Sequence, residues 1–453
     1  MSSEVLVGRF SIGDLIKAGA ITAHKDGNFG SLYPKIDDFV DDGIPLLTAK
    51  VVNAGRINFS AAQKLCQEKA AKLPYGFIRA GDVLLSHNAT VGRVAVVPEF
   101  NGQAMIGTSL TYFRVDRSKL LPRYLAYFFE SRDFQNQLAS VMGLSTRNQV
   151  PITAQRLLEV EVPFLAVQCQ ISKFVGAVDD RITLLRETNA TLESIAQALF
   201  KSWFVDFDPV RAKAEGRQPE GMDATTAALF PDRFEESELG VVPKGWSIGS
   251  VGDLASQKKG SVNPLASPGV LYEHYSLPAF DSGQAPVFEL GQEIKSNKTP
   301  LPEEAVLLSK LNPHIPRVWL PVSCGANAVC STEFLAYSPR DGASKELIYC
   351  LFGSSEFQQQ LCQLVTGTSN SHQRVKPDQV LAIKLPIAGK PALKAFTESV
   401  QPIFEYVHAN RLRAQALTQL RDTLLPRLIS GQLRLPEAQA LLSDGISEQA
   451  PIK

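Results

Sequence analysis

No charge of either sign predominates in this 453-residue chain, where 46 Lys and Arg stand against 46 Asp and Glu. That balance excludes a global field drawing the chain to DNA, RNA or an acidic membrane, so nucleic-acid binding would need local basic loops or a partner's charge. Cysteine is scarce. The six residues (Cys66, Cys169, Cys324, Cys330, Cys350, Cys362) form no CxxC and are too dilute for a disulfide-stapled secreted scaffold. They are expected to be reduced and mostly buried. No run approaches the roughly 18 apolar residues of a membrane span. The opening "MSSEVLVGRFSIGDLIKAG" lacks a basic region followed by an apolar stretch. A cytoplasmic protein is the expectation.

Catalytic machinery is missing too. There is no GxxxxGK[ST] for nucleotide phosphates and no HExxH for zinc, and the six histidines fall in neither metal-ligand pairs nor clusters. "LNPHIP" (311–316) touches the NPP[YF] signature of amino-methyltransferases only through Asn312 and Pro313. His314 stands at the second proline and the stacking ring is absent, so a flipped-base pocket is not supported. "FVDFDPV" carries two acidic residues, but it ends a helical pattern, where capping or packing explains them better than metal binding. No catalytic residue, metal ligand or cofactor is expected on this chain.

What is present is a duplication. "LLSHNATVGRVAVVP" (84–98) returns as "LLSKLNPHIPRVWLP" (307–321), "YFFESRDFQNQL" (127–138) as "CLFGSSEFQQQL" (350–361), "GLSTRNQ" (143–149) as "GTSNSHQ" (367–373) and "LLEVEVP" (157–163) as "VLAIKLP" (380–386). A period above about 200 residues means duplicated domains, because solenoid repeats are far shorter. Each copy runs from short β-rich segments through a helical stretch and a Gly/Ser/Asn-rich loop to one more strand, an α+β globular domain.

A long helix is predicted after each domain. A 4,3 spacing selects Ile171, Val175, Val178, Ile182, Leu185, Asn189, Leu192, Ala196, Leu199 and Trp203, a coiled-coil seam polar only at Asn189. The second copy selects Phe396, Val400, Ile403, Val407, Asn410, Ala414, Leu417, Arg421, Leu424 and Leu428, with two polar interruptions. Pro402 marks its first turn or a kink. Pro209 and Gly431 are the expected stops. Antiparallel packing of the two helices is the simplest way to bury both seams, giving two domains with pseudo-two-fold symmetry. The boundaries expected are domain one at 1–165, long helix at 166–208, linker at 209–240, domain two at 241–389, long helix at 390–435 and tail at 436–453.

Two similar but non-identical domains on paired helices suit a ligand with two recognition points at fixed separation, of which duplex DNA is the obvious one. Residues common to both copies should build the fold or grip the uniform phosphate backbone, and residues that differ are free to specify bases. The shared set pairs Ser86 with Ser309, Asn88 with Asn312, Arg93 with Arg317, Thr108 with Thr332, Ser145 with Ser369 and Gln149 with Gln373. The differing tips add His87, Thr90, Thr146, Arg147 and Asn148 against Lys310, His314, Asn370, His372 and Arg374. Turns at Lys25, Asn28, Lys258 and Lys259 complete the candidate contacts. Arg93 and Arg317 are either such contacts or simply solvated or salt-bridged.

The residues resemble a known family, the specificity (S) subunits of type I restriction-modification enzymes. "AVDDRITLLRETNATLESIAQALFKSWFVDFDPVRAKAEGR" (177–217) looks like its central conserved region and "LRDTLLPRLISGQLRL" (420–435) its distal one. "LGVVPKGW" (239–246) resembles the entry to a second target-recognition domain, and 272–320 a recurring type of that domain. The resemblance implies a non-catalytic DNA reader whose domains each read one half of a split site and whose helices set the spacer. It implies two methyltransferase subunits bringing S-adenosylmethionine, and restriction subunits bringing ATP and Mg2+. Phe200, Trp203, Phe204 and Phe207 would dock those partners or pack internally, and Asn189 would fix helix register or face a solvated groove. A protein-binding adaptor and a stand-alone adenine methyltransferase are the alternatives.

Overall fold

A computed structural model describes residues 6–53, 55–143, 148–321, 323–340, 342–365 and 373–438. The chain forms two compact units, one from residues 1–183 with 416–453 and the other from 184–415. Each contains an α+β head and a share of both long helices.

The first head is built on a four-stranded antiparallel sheet in the order Ile21–Asp26, Leu110–Val115, Val83–Ser86, Val94–Val96. The second repeats that order with Ala255–Gln257, Phe334–Pro339, Val306–Ser309 and Val318–Trp319. "VLLS" is buried at all four positions in both copies, as a continuous apolar run covered on both faces must be. Behind each sheet lies a helix pair, Pro122–Glu130 with Arg132–Gly143 and Lys345–Gly353 with Ser355–Gln363. The junction residues Ser131 and Ser354 do the same work. Each hydroxyl donates to the carbonyl three residues back, Phe128 at 2.6 Å and Leu351 at 2.7 Å, and accepts the amide of Phe134 or Phe357. A small antiparallel pair closes each head, Gly8–Ser11 with Glu159–Val162 and Ser247–Ser250 with Lys384–Ile387.

The heads differ in what is inserted between the common strands. The first inserts a mixed sheet in the order Met105–Ile106, Ile44–Leu47, Gln63–Leu65, Phe39–Val40, with its own apolar core around Leu46, Leu65 and Met105. The second inserts Val287–Leu290, Leu271–Tyr275, Ala328–Ser331 and Lys298–Pro300.

Both long helices run 40 residues, Leu165–Phe204 and Lys390–Ile429. The predicted seams are buried except at Leu192, Leu199, Ile403 and Arg421, which are half-buried. In the first unit, Ile171 and Val175 share a core with Leu424, Leu425 and Leu428. In the second, Ala196, Phe200 and Trp203 share one with Phe396 and Val400. The helices pair antiparallel within each unit. Arg421 donates to Asp179 at 2.8 Å in the first, and Arg411 donates to Glu193 at 2.6 Å in the second. The polar interruptions of the second seam each meet a partner on the first helix, Arg421 at Asp179 and Asn410 at Asn189, to whose oxygen it donates at 2.9 Å.

Three expectations change. The first helix stops at Phe204, and Pro209 instead opens a short helix, Asp208–Ala214, after Phe207 turns left-handed at a φ of +56°. The span 209–240 is folded rather than a linker: it carries the helix Ala224–Ala227, the hairpin of Phe234–Ser237 with Gly240–Pro243, and Phe230, whose ring sits edge-on to Trp203 at 5.2 Å. Its Gly and Pro content concealed aromatic residues that the core needs. Of the two readings of Pro402 the first turn is excluded, because the helix begins at Lys390–Pro391 and Pro402 lies in its interior. Gly431, at a φ of +73°, follows that helix's end as expected.

Candidate nucleic-acid interface

In each head the hairpin leaving "VLLS" forms a tip that is held to a second segment of chain by the same bonds. The Val150 amide donates to the His87 carbonyl at 2.8 Å, and the Val375 amide to the Lys310 carbonyl at 3.1 Å. Asn88 bridges Gln149, and Leu311 bridges Arg374. The Ala89 amide donates to the Asn148 carbonyl at 3.2 Å, and the Asn312 amide to the Gln373 carbonyl at 2.8 Å. Ala89 and Asn312 both adopt left-handed backbone, with φ of +62° and +50°, a conformation that a non-glycine residue holds only where its surroundings impose it.

This register corrects the sequence alignment. Asn312 corresponds to Ala89, not Asn88, and Gln373 corresponds to Asn148, not Gln149. Ser86 with Ser309 and Arg93 with Arg317 stay matched, because each serine amide donates to the arginine carbonyl at 2.8 and 2.9 Å. The second tip is therefore one residue longer.

Several candidates belong to the interior. Ser86 accepts the Arg93 amide at 2.8 Å, and Ser309 bonds the Leu311 amide and carbonyl; both are buried. His87 is buried as well. The Arg93 guanidinium donates to the carbonyls of Ala49 and Val52 at 2.8 and 3.0 Å. Arg317 makes a two-pronged pair with Asp281 at 2.7 and 2.9 Å. The shared arginines thus fasten each head's inserted segment to the common sheet, and neither is a free phosphate ligand. Arg374 is exposed but pairs with Glu333 at 3.0 and 3.1 Å, which raises the pKa of its guanidinium.

The remaining candidates lie at the surface. Lys25, Asn28, Thr90, Asn148, Lys258, Lys259 and His314 are exposed, and Asn88, Thr108, Gln149, Lys310, Asn312 and Gln373 are half-buried. Lys25 and Lys258 are equivalent. Lys25 sits opposite Tyr112 and the Lys258 amide bonds the Ala336 carbonyl, the same place in the two sheets. The Lys25 ammonium lies 5.6 Å from the Tyr75 ring centre, and the Tyr75 hydroxyl donates to the Asn28 carbonyl. Ser145, Thr146, Arg147, Ser369, Asn370 and His372 lie outside the described residues.

Beneath the first tip runs a chain of buried polar side chains for which spacing gives no signal. Gln155 donates from its amide nitrogen to the Val150 carbonyl at 2.9 Å and to the Thr111 hydroxyl at 3.0 Å. Its amide oxygen faces His24 Nε2 at 3.0 Å, and the Thr111 hydroxyl faces His87 Nδ1 at 2.8 Å. Because a carbonyl only accepts, the Val150 bond orients the amide, so Gln155 accepts at its oxygen and His24 donates from Nε2. Thr111 accepts from Gln155 and is hydrogen-bonded to His87 Nδ1. His24 also stacks on Phe113 with centroids 4.6 Å apart. Burial pushes the His24 imidazole down to about 4 and lowers that of His87.

Phe200, Trp203, Phe204 and Phe207 are buried in the second unit's core. Phe200, Trp203 and Phe204 pack edge-on against Phe396, and Phe207 against Trp246. Phe200, Phe204 and Phe207 also contribute to the wall of an apolar cavity of about 510 Å3.

Residues 15–194 match the family model described as the type I restriction modification DNA specificity domain. That stretch is a type I DNA specificity domain. It includes the first tip and the chain beneath it. Similarity to curated relatives extends further. The MjaIX specificity subunit of Methanocaldococcus jannaschii is 24% identical over 419 residues, covering 89% of this chain and 90% of the relative. The HindI specificity subunit of Haemophilus influenzae is 25% identical over 407 residues, covering 79% and 87%. The solved S subunit from M. genitalium aligns with a TM-score of 0.49 at 12% identity, over 94% of this chain and 97% of that one. Among the described residues, no helix is long and apolar enough to cross a membrane.

Proposed function

We propose that this chain is the DNA sequence-recognition subunit of a type I restriction-modification complex, with each head reading one half of a bipartite, asymmetric target. The observation that carries the reading is one tip geometry presented twice with different side chains. Ala89 and Asn312 are held left-handed by the same bonds, and the equivalent lysines Lys25 and Lys258 stand exposed at matching positions of the two sheets. The lysines would grip phosphate irrespective of sequence, and the unlike tips would read base edges.

The chain itself carries out no chemistry in this reading. The paired helices set the spacer and dock two methyltransferase subunits, which bring S-adenosylmethionine for adenine methylation. Restriction subunits bring ATP and Mg2+ for translocation and cleavage. With no net charge on this chain, those subunits supply much of the phosphate grip and its salt dependence. Mapping methylated adenines in host DNA with and without the gene tests this. Loss of methylation at one bipartite motif is expected, and replacing residues 1–165 by another such domain should change only one half of it. An unchanged methylation map, or change in both halves, would refute the reading.

A further inference from the structure

The four-residue chain under the first tip has no counterpart in the second head. Sheet register places Leu335 where Thr111 stands and Gln257 where His24 stands, and Lys310 replaces His87. Counting from the matched Val150 and Val375, Gln155 becomes Val380. Gln155 and Val380 are equally buried, at 0% exposure, as are Thr111 at 0% and Leu335 at 4%. One scaffold thus tolerates apolar residues at the two central positions, so the fold does not require the polar pair. Retaining four buried polar side chains is costly unless all are bonded, and when bonded they restrict the backbone to one arrangement.

The arrangement they restrict is the tip. His87 begins it, and its amide donates to the Ser109 carbonyl at 3.0 Å while its carbonyl accepts from Val150. Gln155 takes the Val150 carbonyl on the other side of the same residue. The side chain of His87 is in turn tied through Thr111 back to Gln155. The two segments of the first interface, residues 87–92 and 148–150, are therefore tied together at their base, His87 and Val150, by one closed circuit of hydrogen bonds through Gln155. In the second head the matching bond, from the Val375 amide to the Lys310 carbonyl, has no such side-chain circuit behind it, because Leu335 and Val380 carry no polar group.

We propose that Gln155, acting through Thr111 and His87, is a positioning residue for target recognition by the first head, setting how strictly that head discriminates its half-site while leaving the second half-site untouched. The proposal rests on the DNA-reading function above.

The test uses the full chain assembled with its methyltransferase subunits, and duplexes carrying the host's mapped methylation motif with substitutions confined to one half. Thr111→Leu with Gln155→Val installs the second head's residues. Discrimination against first-half mismatches should fall by about tenfold or more, a sizeable part of what one mismatched base pair is worth. Discrimination against second-half mismatches should stay within about twofold. Thr111→Val alone should give a smaller loss of the same kind, and Thr111→Ser, which keeps the hydroxyl, should restore discrimination. Thermal unfolding identifies a variant that fails to fold, in which case the Thr111→Val and Thr111→Ser pair decides. Unchanged first-half discrimination in a folded variant, or equal loss in both halves, overturns the proposal. If the unaltered chain discriminates in neither half, the DNA-reading function falls and this inference with it.

Discussion

The carboxamide of Asn410 donates to the carboxamide oxygen of Asn189 at 2.9 Å, and Asn189 donates in turn to the Val407 carbonyl at 2.9 Å. Both side chains are buried between the antiparallel helices of the second unit. A polar pair in an apolar seam is satisfied in one register only, because sliding either helix by a turn separates the two amides.

Replacing Asn410 by Leu should therefore destabilise the chain by about 1–3 kcal/mol, the cost of leaving the Asn189 oxygen buried and unpaired. Adding Asn189→Leu should recover much of that loss. A double-mutant cycle by chemical unfolding would show the coupling, and strictly additive effects would contradict the pairing.

The surface lysines and the shared arginines should behave differently. Lys25→Ala and Lys258→Ala are each expected to weaken DNA binding by the assembled complex on all sequences and to lower the salt dependence by about one charge. Arg93→Met, which strands the carbonyls of Ala49 and Val52, should lower thermal stability and leave the salt slope of the folded complex unchanged. An Arg93→Met variant of normal stability with a reduced slope would assign that guanidinium to phosphate after all.

Acid should loosen the first head through His24. Its folded pKa of about 4 lies below the ordinary histidine value of about 6.5, so above that value the imidazole is neutral in both states and stability is complete. As pH falls from about 6.5 towards 4, the unfolded chain takes up a proton that the folded chain refuses, and stability drops by on the order of 3 kcal/mol. The facing charges oppose one another, Arg156 disfavouring protonation and Asp26 favouring it, and desolvation dominates both. His24→Gln, which installs the residue found at the equivalent Gln257, should reduce the acid slope of the unfolding free energy across this window, leaving the part due to His87. An equal acid slope in both proteins would contradict the assignment.

Trp203→Ala should cost about 3–5 kcal/mol, as expected when a large ring leaves a packed core. Loss of partner binding in a variant with undiminished stability would instead favour a docking role for this ring.

Sequence periodicity captured the helices because a coiled-coil seam is a local, repeated pattern, and it captured the duplication because paired core strands and helix junctions keep their residue types. It misread 209–240, where Gly and Pro mark turns within a packed segment as readily as they mark a linker. It also read Arg93 and Arg317 as open between two roles, since a guanidinium that staples two carbonyls and one that awaits a phosphate have the same letter.

Local pattern sufficed for two copies of an α+β domain, each followed by an amphipathic helix, because burying apolar side chains at periods of two and of seven halves leaves few other arrangements. Which polar groups face one another emerged with the folded chain: Asn189 with Asn410, Asp179 with Arg421, Gln155 with Thr111 and His24. Such pairings depend on where distant segments meet and on the direction of single protons, and a linear pattern carries neither.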